Sequence, residues 1–553
     1  MSRTALLRDR KMTATSYEHG ASDVPLLGET IGENLRRTVA RVPAREALVV
    51  RSQGYRATYQ ELWDTTTALA KALMARNIEK GDRVAIWSPN RYEWVVTQYA
   101  TARIGGILVN INPAYKSREL EHALNQSGAR LLLLSRGFRR TDYVALLDEV
   151  REGCRTLEES LIIDEQWNTL LAEGDALPDD DAGLARRESQ LTFDDPINIQ
   201  YTSGTTGTPK GATLSHHNIL NNGFFCGEIL GYSDVDRVCV PVPFYHCFGM
   251  VIGNLACTSH GACIVAPGEA FDAGDTLATV EAERCTSLYG VPTMFISQLN
   301  HPTFETVDLS TLRTGVMAGS PCQVELMRQV RERMHMREIT ICYGMTETSP
   351  VSTQTQVDDP VEKRVASVGR VHPHVEVKVV NPDTGHVAPR NTPGELCARG
   401  YVVMLGYWND SEATAAAIDG GRWMHTGDLA AMDNDGYVRI VGRIKDMIIR
   451  GGENIYPREV EEFLYTHPDI EDAQVIGIPS EKYGEEVMAW VTVKRGSSVS
   501  TDELTTFCKG QIATYKIPRF WKLVDAFPMT VTGKVQKFRM RELSVEELGL
   551  DES

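Results

Sequence analysis

The 553-residue chain contains no run approaching the roughly 18–20 consecutive apolar residues that a membrane-crossing helix requires, so no transmembrane segment is expected. It also lacks a basic excess. Lysine and arginine number 57 against 74 aspartates and glutamates, a net charge of −17 that would repel a phosphate backbone and argues against general nucleic-acid binding. A nucleotide substrate is still allowed, because local charge decides that. The eleven cysteines include no Cys-x-x-Cys pair, and an odd number fits neither a disulfide framework nor a zinc site; reduced thiols in the cytoplasm are the simplest account. Internal repeats and low-complexity tracts are absent as well. The first residues carry Arg3, Arg8, Arg10 and Lys11 against Asp9, without an apolar stretch for secretion. That pattern suits either a mitochondrial presequence or a frayed terminus with a start at Met12, and residues 1–30 are expected to be flexible.

What is present is the composition of an ordinary globular enzyme, 42% hydrophobic and 24% charged, in a chain too long for one core. Thr58 followed by Leu62, Leu69, Ala72 and Leu73 predicts an amphipathic helix over 58–75. The run 83–87 reads as a short buried strand, 93–103 as a helix, and 107–110 and 131–134 as further strands. Such alternation points to stacked α/β layers. Residues 173–196, acidic and poor in apolar side chains, read as a surface connection. Near 442 the texture changes. Residues 436–443 read as a strand ending in a turn, and a helix is expected after Pro457, where Glu459, Glu461 and Glu462 favour its first turns. The expected architecture is α/β: a large multilayer domain over 31–443 and a small, mobile α+β domain over 444–553, hinged near Lys445.

The most informative stretch is 201–211, Tyr-Thr-Ser-Gly-Thr-Thr-Gly-Thr-Pro-Lys-Gly. Gly204, Gly207 and Gly211 let backbone amides turn toward a phosphate. Thr202, Ser203, Thr205, Thr206 and Thr208 add hydroxyl donors, and Lys210 adds one positive charge. The spacing is not that of the P-loop, which has four residues between its glycines, the second of them opening Gly-Lys-Ser/Thr at a helix start. Pro209 also disfavours a helical residue at 208. The stretch reads as a polyphosphate loop of another kind.

Six further blocks follow it in order: 243–249 (Pro-Phe-Tyr-His-Cys-Phe-Gly), 319–321 (Gly-Ser-Pro), 343–347 (Tyr-Gly-Met-Thr-Glu), 426–428 (Thr-Gly-Asp), 442–446 (Gly-Arg-Ile-Lys-Asp) and 528–534 (Pro-Met-Thr-Val-Thr-Gly-Lys). With these the chain resembles the adenylate-forming superfamily of acyl-CoA synthetases, nonribosomal-peptide adenylation domains and firefly-type luciferases, from about residue 30 to 545. The resemblance implies that a carboxylate is joined to the α-phosphate of ATP with release of pyrophosphate, and that the acyl group then passes to a thiol. Two anions must meet in the first step, so positive charge and positioning carry it.

The resemblance assigns the β- and γ-phosphates to Thr202, Ser203, Gly204, Thr205, Thr206, Gly207, Thr208 and Lys210. It makes Glu347 the ligand of Mg²⁺, a hard carboxylate for a hard ion, and puts Thr346 on the α-phosphate. Adenine is expected between the turn of Gly319, Ser320 and Pro321 and the ring of Tyr343, with Gly344 and Met345 beside it. Asp428 suits the ribose hydroxyls as a two-bond acceptor, with Ile440 and Arg443 also contacting the nucleotide. Lys534 is implied to bridge carboxylate and α-phosphate oxygens in the transition state, where an interaction raises the chemical rate. For the second step the family rotates its small domain, which makes Lys445 the hinge and brings Gly451, Gly452 and Glu453 to the pantetheine arm. Lys516 and Arg519 are then candidate contacts to the CoA phosphates.

His246 is implied to line or gate entry of the acid. Its block offers no aspartate to pair with an ammonium, which favours an acid without an α-amine. Phe244, Phe248, Met250, Val251, Val291, Met294 and Met317 describe an apolar, adaptable cavity for it. The pattern most resembles the medium-chain fatty acyl-CoA ligases, including Met-Thr-Val-Thr-Gly-Lys-Val-Gln-Lys at 529–537. An aryl acid, a long-chain acid, transfer to a carrier protein, and a non-catalytic acyl-nucleotide sensor stay open as alternatives. The expected co-substrates are ATP and CoA with Mg²⁺, the expected partner a small carboxylic acid, and the oligomeric state is open, a homodimer included.

Overall fold

The computed structural model describes residues 14–177, 181–202, 209–320, 322–494, 496–529 and 535–550. Two compact units are formed. One comprises Glu18–Val377 and Ala398–His425; the other comprises Met1–Tyr17, Lys378–Cys397 and Thr426–Ser553.

The larger unit holds two sheets whose central strands are parallel. In the first, seven-stranded, Ile107–Asn110, Arg83–Trp87 and Leu131–Leu134 lie side by side, as their apolar runs predict, and Pro196–Thr202 joins them in parallel. Strands covered on both faces read as continuous apolar stretches, which is why these three could be read directly. The predicted helix at 58–75 is Tyr59–Ala75, and Thr58 caps it. The Thr58 hydroxyl accepts the Glu61 N–H at 3.2 Å while the Glu61 carboxylate accepts the Thr58 N–H at 2.7 Å, a reciprocal capping box. Leu62, Leu69, Ala72 and Leu73 are all buried.

The segment 173–196 departs from the expected plain connection, because it carries the helix Asp181–Glu188. Leu184 is buried, and Glu188 accepts a hydrogen bond at 2.7 Å from the guanidinium of buried Arg103. Arg187 of the same helix pairs with Glu79, so an apolar anchor and two ion pairs among the described residues hold a helix whose composition alone looks like a linker.

The second sheet has nine strands, among them the adjacent parallel strands Ser287–Gly290, Thr314–Ala318 and Glu338–Gly344. Their carboxyl ends therefore emerge together. In open α/β sheets, ligands bind outside that edge. In the smaller unit, Ile448–Arg450 and Glu453–Ile455 form a hairpin closed by Gly451 and Gly452, whose φ values of +61° and +89° suit glycine in a tight two-residue turn. The helix expected after Pro457 is Pro457–Leu464, with Pro457 in its first turn. It packs with the long pair Ile470–Ser480 and Gly484–Val493 around Val460, Leu464, Val475 and Val487.

Two histidines of the larger unit are buried and neutral. His216 accepts the Ile31 N–H at Nδ1, 3.2 Å away. His372 lies between the Cys226 thiol at 3.8 Å and the Tyr401 hydroxyl at 3.3 Å. Burial lowers both pKa values to about 3. The unfolded chain takes up these protons near pH ~6.5 whereas the folded chain does not. Stability is thus complete above that pH and declines as the pH falls toward 3, by about 1.4 kcal/mol per unit for each histidine. Replacing His372 with Gln should flatten the fall in Tm between pH 6.5 and 4.5; a slope equal to the parent's would refute this account of acid sensitivity.

Candidate active site

The polyphosphate stretch is anchored on an antiparallel pair. Pro196–Thr202 and Lys210–Ser215 run side by side, and Thr202 is in register with Lys210. The first of these strands alternates strictly. Ile199 and Tyr201 face the helical layer, where the Tyr201 hydroxyl donates to Gln126 Oε1 at 2.6 Å. Asn198, Gln200 and Thr202 occupy the opposite face, two residues apart. Asn198 Nδ2 donates to Asn110 Oδ1 at 3.0 Å, Gln200 Oε1 accepts the Cys247 thiol at 3.0 Å, and Thr202 Oγ1 donates to Glu347 Oε1 at 3.3 Å. This polar row leads from the sheet interior to the carboxylate, and the alternation in Pro-Ile-Asn-Ile-Gln-Tyr-Thr was the signal that could have revealed it.

Glu347 stands in a single 3₁₀ turn, Thr346–Thr348, directly after the strand Glu338–Gly344. It is only 4% exposed. A second donor reaches the same oxygen: the Tyr407 hydroxyl lies 2.8 Å from Glu347 Oε1. Oε2 accepts no hydrogen bond among the described residues. Burial and the neighbouring Glu347 charge push the Tyr407 phenol up from its ordinary value, so it remains a proton donor at neutral pH. The ring of Tyr407 also lies beneath the Lys210 ammonium, whose Nζ is 5.3 Å from its centroid. Tyr407 belongs to the short strand Gly406–Tyr407, which extends the sheet beyond Lys210–Ser215 with Tyr407 opposite Ala212. Sequence reasoning missed this residue.

Tyr343 lies at the end of the strand Glu338–Gly344, and Gly319 and Ser320 follow the adjacent parallel strand, in which Ala318 is opposite Cys342. Gly344 and Met345 connect Tyr343 to the Glu347 turn. Gly344 is forced by space: a Cβ there would stand 1.7 Å from the Pro350 carbonyl oxygen. Ser203, Gly204, Thr205, Thr206, Gly207, Thr208, Pro321 and Lys534 lie outside the described residues.

The block 243–249 ends in the π-helix Phe248–Leu255, a geometry frequent at functional sites. Asn90 holds its approach with both amide atoms, accepting the Phe244 N–H at 2.7 Å and donating to the Val242 carbonyl at 2.9 Å. His246 is half-buried, and its Nδ1 accepts the Phe248 N–H at 3.1 Å, which places the proton of the neutral ring on Nε2. Cys247 is enclosed, and burial raises its thiol to about 12. Of the apolar candidates, Phe244 packs on Trp94, Phe248 stacks on Tyr289 at 5.7 Å, and Met317 is part of the core beneath the nine-stranded sheet.

In the smaller unit Asp428 is directly opposite Arg443 on the pair Met424–Met432 and Val438–Arg443, with Nε 2.9 Å from Oδ1. Ile440 opposes Ala430 on the same pair. Lys445 is exposed in the turn Ile444–Asp446. Glu453 is exposed beside the Gly451–Gly452 turn. Lys516 bonds Glu459 at 2.5 Å, and Arg519 lies 3.6 Å from Glu486, which also pairs with Arg450. Both candidate CoA contacts thus have carboxylate partners.

Gly344→Ala should disturb the Glu347 turn more than the fold. Loss of ATP-dependent activity by at least tenfold with a Tm within a few degrees is expected, and full activity would contradict the close-approach argument.

The sequence model of the AMP-binding enzyme family matches residues 35–408, and that of the AMP-binding enzyme C-terminal domain matches 459–534. YngI of Bacillus subtilis, assigned by name as a candidate acyl-CoA synthetase, is 48% identical over 546 residues, covering 96% of this chain and 99% of that protein. The mitochondrial medium-chain acyl-CoA ligase ACSF2 of Danio rerio is 43% identical over 558 residues, covering 97% and 92%. Among solved structures, the anthranilate CoA ligase AuaEII in complex with anthranoyl-AMP superposes with a TM-score of 0.85 at 26% identity, covering 96% of this chain and 99% of that one.

Proposed function

The chain belongs to the AMP-binding enzyme family and is an ATP-dependent, AMP-forming acid–CoA ligase, and from that premise we propose that its acid is a fatty acid of medium chain length and its metal Mg²⁺. The observation that carries the nucleotide reading is the placement of Thr202, Lys210, Glu347 and Tyr407 at one point beside the carboxyl ends of parallel strands. The acid reading is supported by the apolar residues that flank His246 and by the 43% identity to a ligase named for medium-chain acids. Cytoplasmic action is part of the same proposal, and eleven cysteines that form no disulfide support a reducing compartment. No helix among the described residues is long and apolar enough to cross a membrane.

In this reading the carboxylate oxygen attacks the α-phosphorus of ATP. An O–P bond forms as the bond to the β-phosphate breaks, and pyrophosphate leaves. Thr202, Lys210 and residues 203–208 hold the β- and γ-phosphates, and Thr346 contacts the α-phosphate. Glu347 offers Oε2, a hard oxygen with no competing donor among the described residues, which fits Mg²⁺. When bound, the ion offsets triphosphate charge. Gly319, Ser320, Pro321, Tyr343, Gly344 and Met345 frame adenine, while Asp428, Ile440 and Arg443 serve the ribose. Lys534 neutralises charge that develops on the carboxylate and α-phosphate oxygens. In the second step the CoA sulfur attacks the acyl carbon, a C–S bond forms, and AMP departs with the former carboxylate oxygen. A turn of the small domain at Lys445 exchanges the residues serving each step, bringing Gly451, Gly452 and Glu453 to pantetheine. Lys516 and Arg519 trade Glu459 and Glu486 for CoA phosphates. His246 borders the entering acid.

Pyrophosphate release measured across acids from acetate to palmitate, with benzoate included, tests the substrate. A maximum between about six and twelve carbons is expected, each methylene contributing about 0.8 kcal/mol until the pocket is full. A maximum at acetate, palmitate or benzoate would reject the medium-chain reading. Lys534→Ala should abolish adenylation while leaving thioester formation from supplied acyl-adenylate within a few-fold of normal. Equal losses in both half-reactions would remove Lys534 from its assigned role.

A further inference from the structure

We propose that Tyr407 is a positioning residue that keeps the two opposite charges of the polyphosphate site apart and aims Glu347 at the metal. The proposal rests on the reading of Glu347 as the ligand of Mg²⁺.

A buried carboxylate and a nearby ammonium ordinarily pair with each other. Such a pair would have to be broken before a metal–nucleotide complex could enter, and breaking it would oppose binding. Neither Lys210 nor Glu347 forms an ion pair among the described residues, although Thr202, in register with Lys210, donates to Glu347. Tyr407 occupies the place between them. Its ring face receives the Lys210 ammonium, with Nζ 5.3 Å from the centroid, and its hydroxyl donates to Glu347 at 2.8 Å. The two interactions use different parts of one side chain, so both hold at once.

The hydroxyl also selects which carboxylate oxygen is available. Among the described residues Thr202 and Tyr407 both donate to Oε1 and none to Oε2, which fixes the plane of the carboxylate and leaves Oε2 as the oxygen offered to a cation. Tyr407 is itself fixed from its backbone: its N–H donates to Thr414 Oγ1 at 2.9 Å, and Thr414 belongs to the helix Ser411–Ala417, capped by Asp410. The side chain thus enters the site from a braced edge of the sheet and acts only through its neighbours. A ligand oriented by an outer partner holds its metal better, and loss of such a partner commonly lowers metal affinity by about 10–100-fold.

The test is the binding of ATP to the full chain, without any acid, measured by calorimetry once with Mg²⁺ and once with EDTA. The ratio of the two dissociation constants reports the metal's contribution separately from turnover. Tyr407→Phe keeps the ring beneath Lys210 and removes the hydroxyl. It should reduce that ratio by about tenfold while the EDTA arm stays within about twofold of the parent. Tyr407→Leu, which removes the ring as well, should weaken the EDTA arm too, as Lys210 turns to Glu347. Glu347→Gln should collapse the ratio toward one. If Glu347→Gln does so and Tyr407→Phe behaves like the parent, the positioning role is wrong and the metal reading stands. If Glu347→Gln leaves the ratio unchanged, the metal reading itself fails and takes this proposal with it. A merely structural role for Tyr407 would weaken both arms of the phenylalanine variant equally, and that outcome also overturns the proposal.

Discussion

The structure of this site depends on holding a carboxylate and an ammonium close together without letting them neutralise one another. A triphosphate with its metal needs both signs of charge, each directed at a different group. Glu347 Oε1 is where the constraint is met, since Thr202 and Tyr407 both donate to it from separate segments of the chain. The remaining geometry serves that junction. Thr202 is at the end of a parallel strand, Lys210 begins the strand that returns beside it, Glu347 sits in the turn that follows another parallel strand closed by the tightly packed Gly344, and Tyr407 is added at the sheet edge.

Packing constrains the residues along this path. The Pro196–Thr202 strand presents an apolar face to the helical layer and a polar face to the interior, so Asn198 and Gln200 are buried amides that must find partners there. Gln200 and Asn110 both direct an amide donor at the Met250 thioether, at 3.0 and 3.2 Å. The floor beneath the proposed acid pocket is therefore soft and polarisable, suited to packing against an alkyl chain.

Much of this was legible in the sequence wherever one local rule dominated. The strands at 83–87, 107–110 and 131–134 are apolar on both faces, and the helix at 59–75 carries both its cap and its stripe within a few residues. The glycine–threonine loop suggested a phosphate site through its residue types, whereas the role given to Glu347 in the Tyr-Gly-Met-Thr-Glu block came from the family resemblance. What escaped was non-local. Tyr407 lies 60 residues beyond Glu347 and belongs to a two-residue strand, too short for any periodicity to register. The helix at 181–188 is held by Leu184 and by Glu188 reaching back 85 positions to Arg103, a pairing that composition cannot express. Asn90, which fastens the His246 segment with both amide atoms, is equally silent in the sequence because its partners are backbone groups about 150 residues away.

A crystal structure of the full chain with Mg²⁺ and ATP tests the central claim most directly. The account predicts the metal about 2.1 Å from Glu347 Oε2, with Oε1 still bonded to Thr202 and Tyr407 and with Lys210 turned to the phosphates. A Glu347 side chain ion-paired to Lys210, or a triphosphate bound away from Thr202, would contradict it.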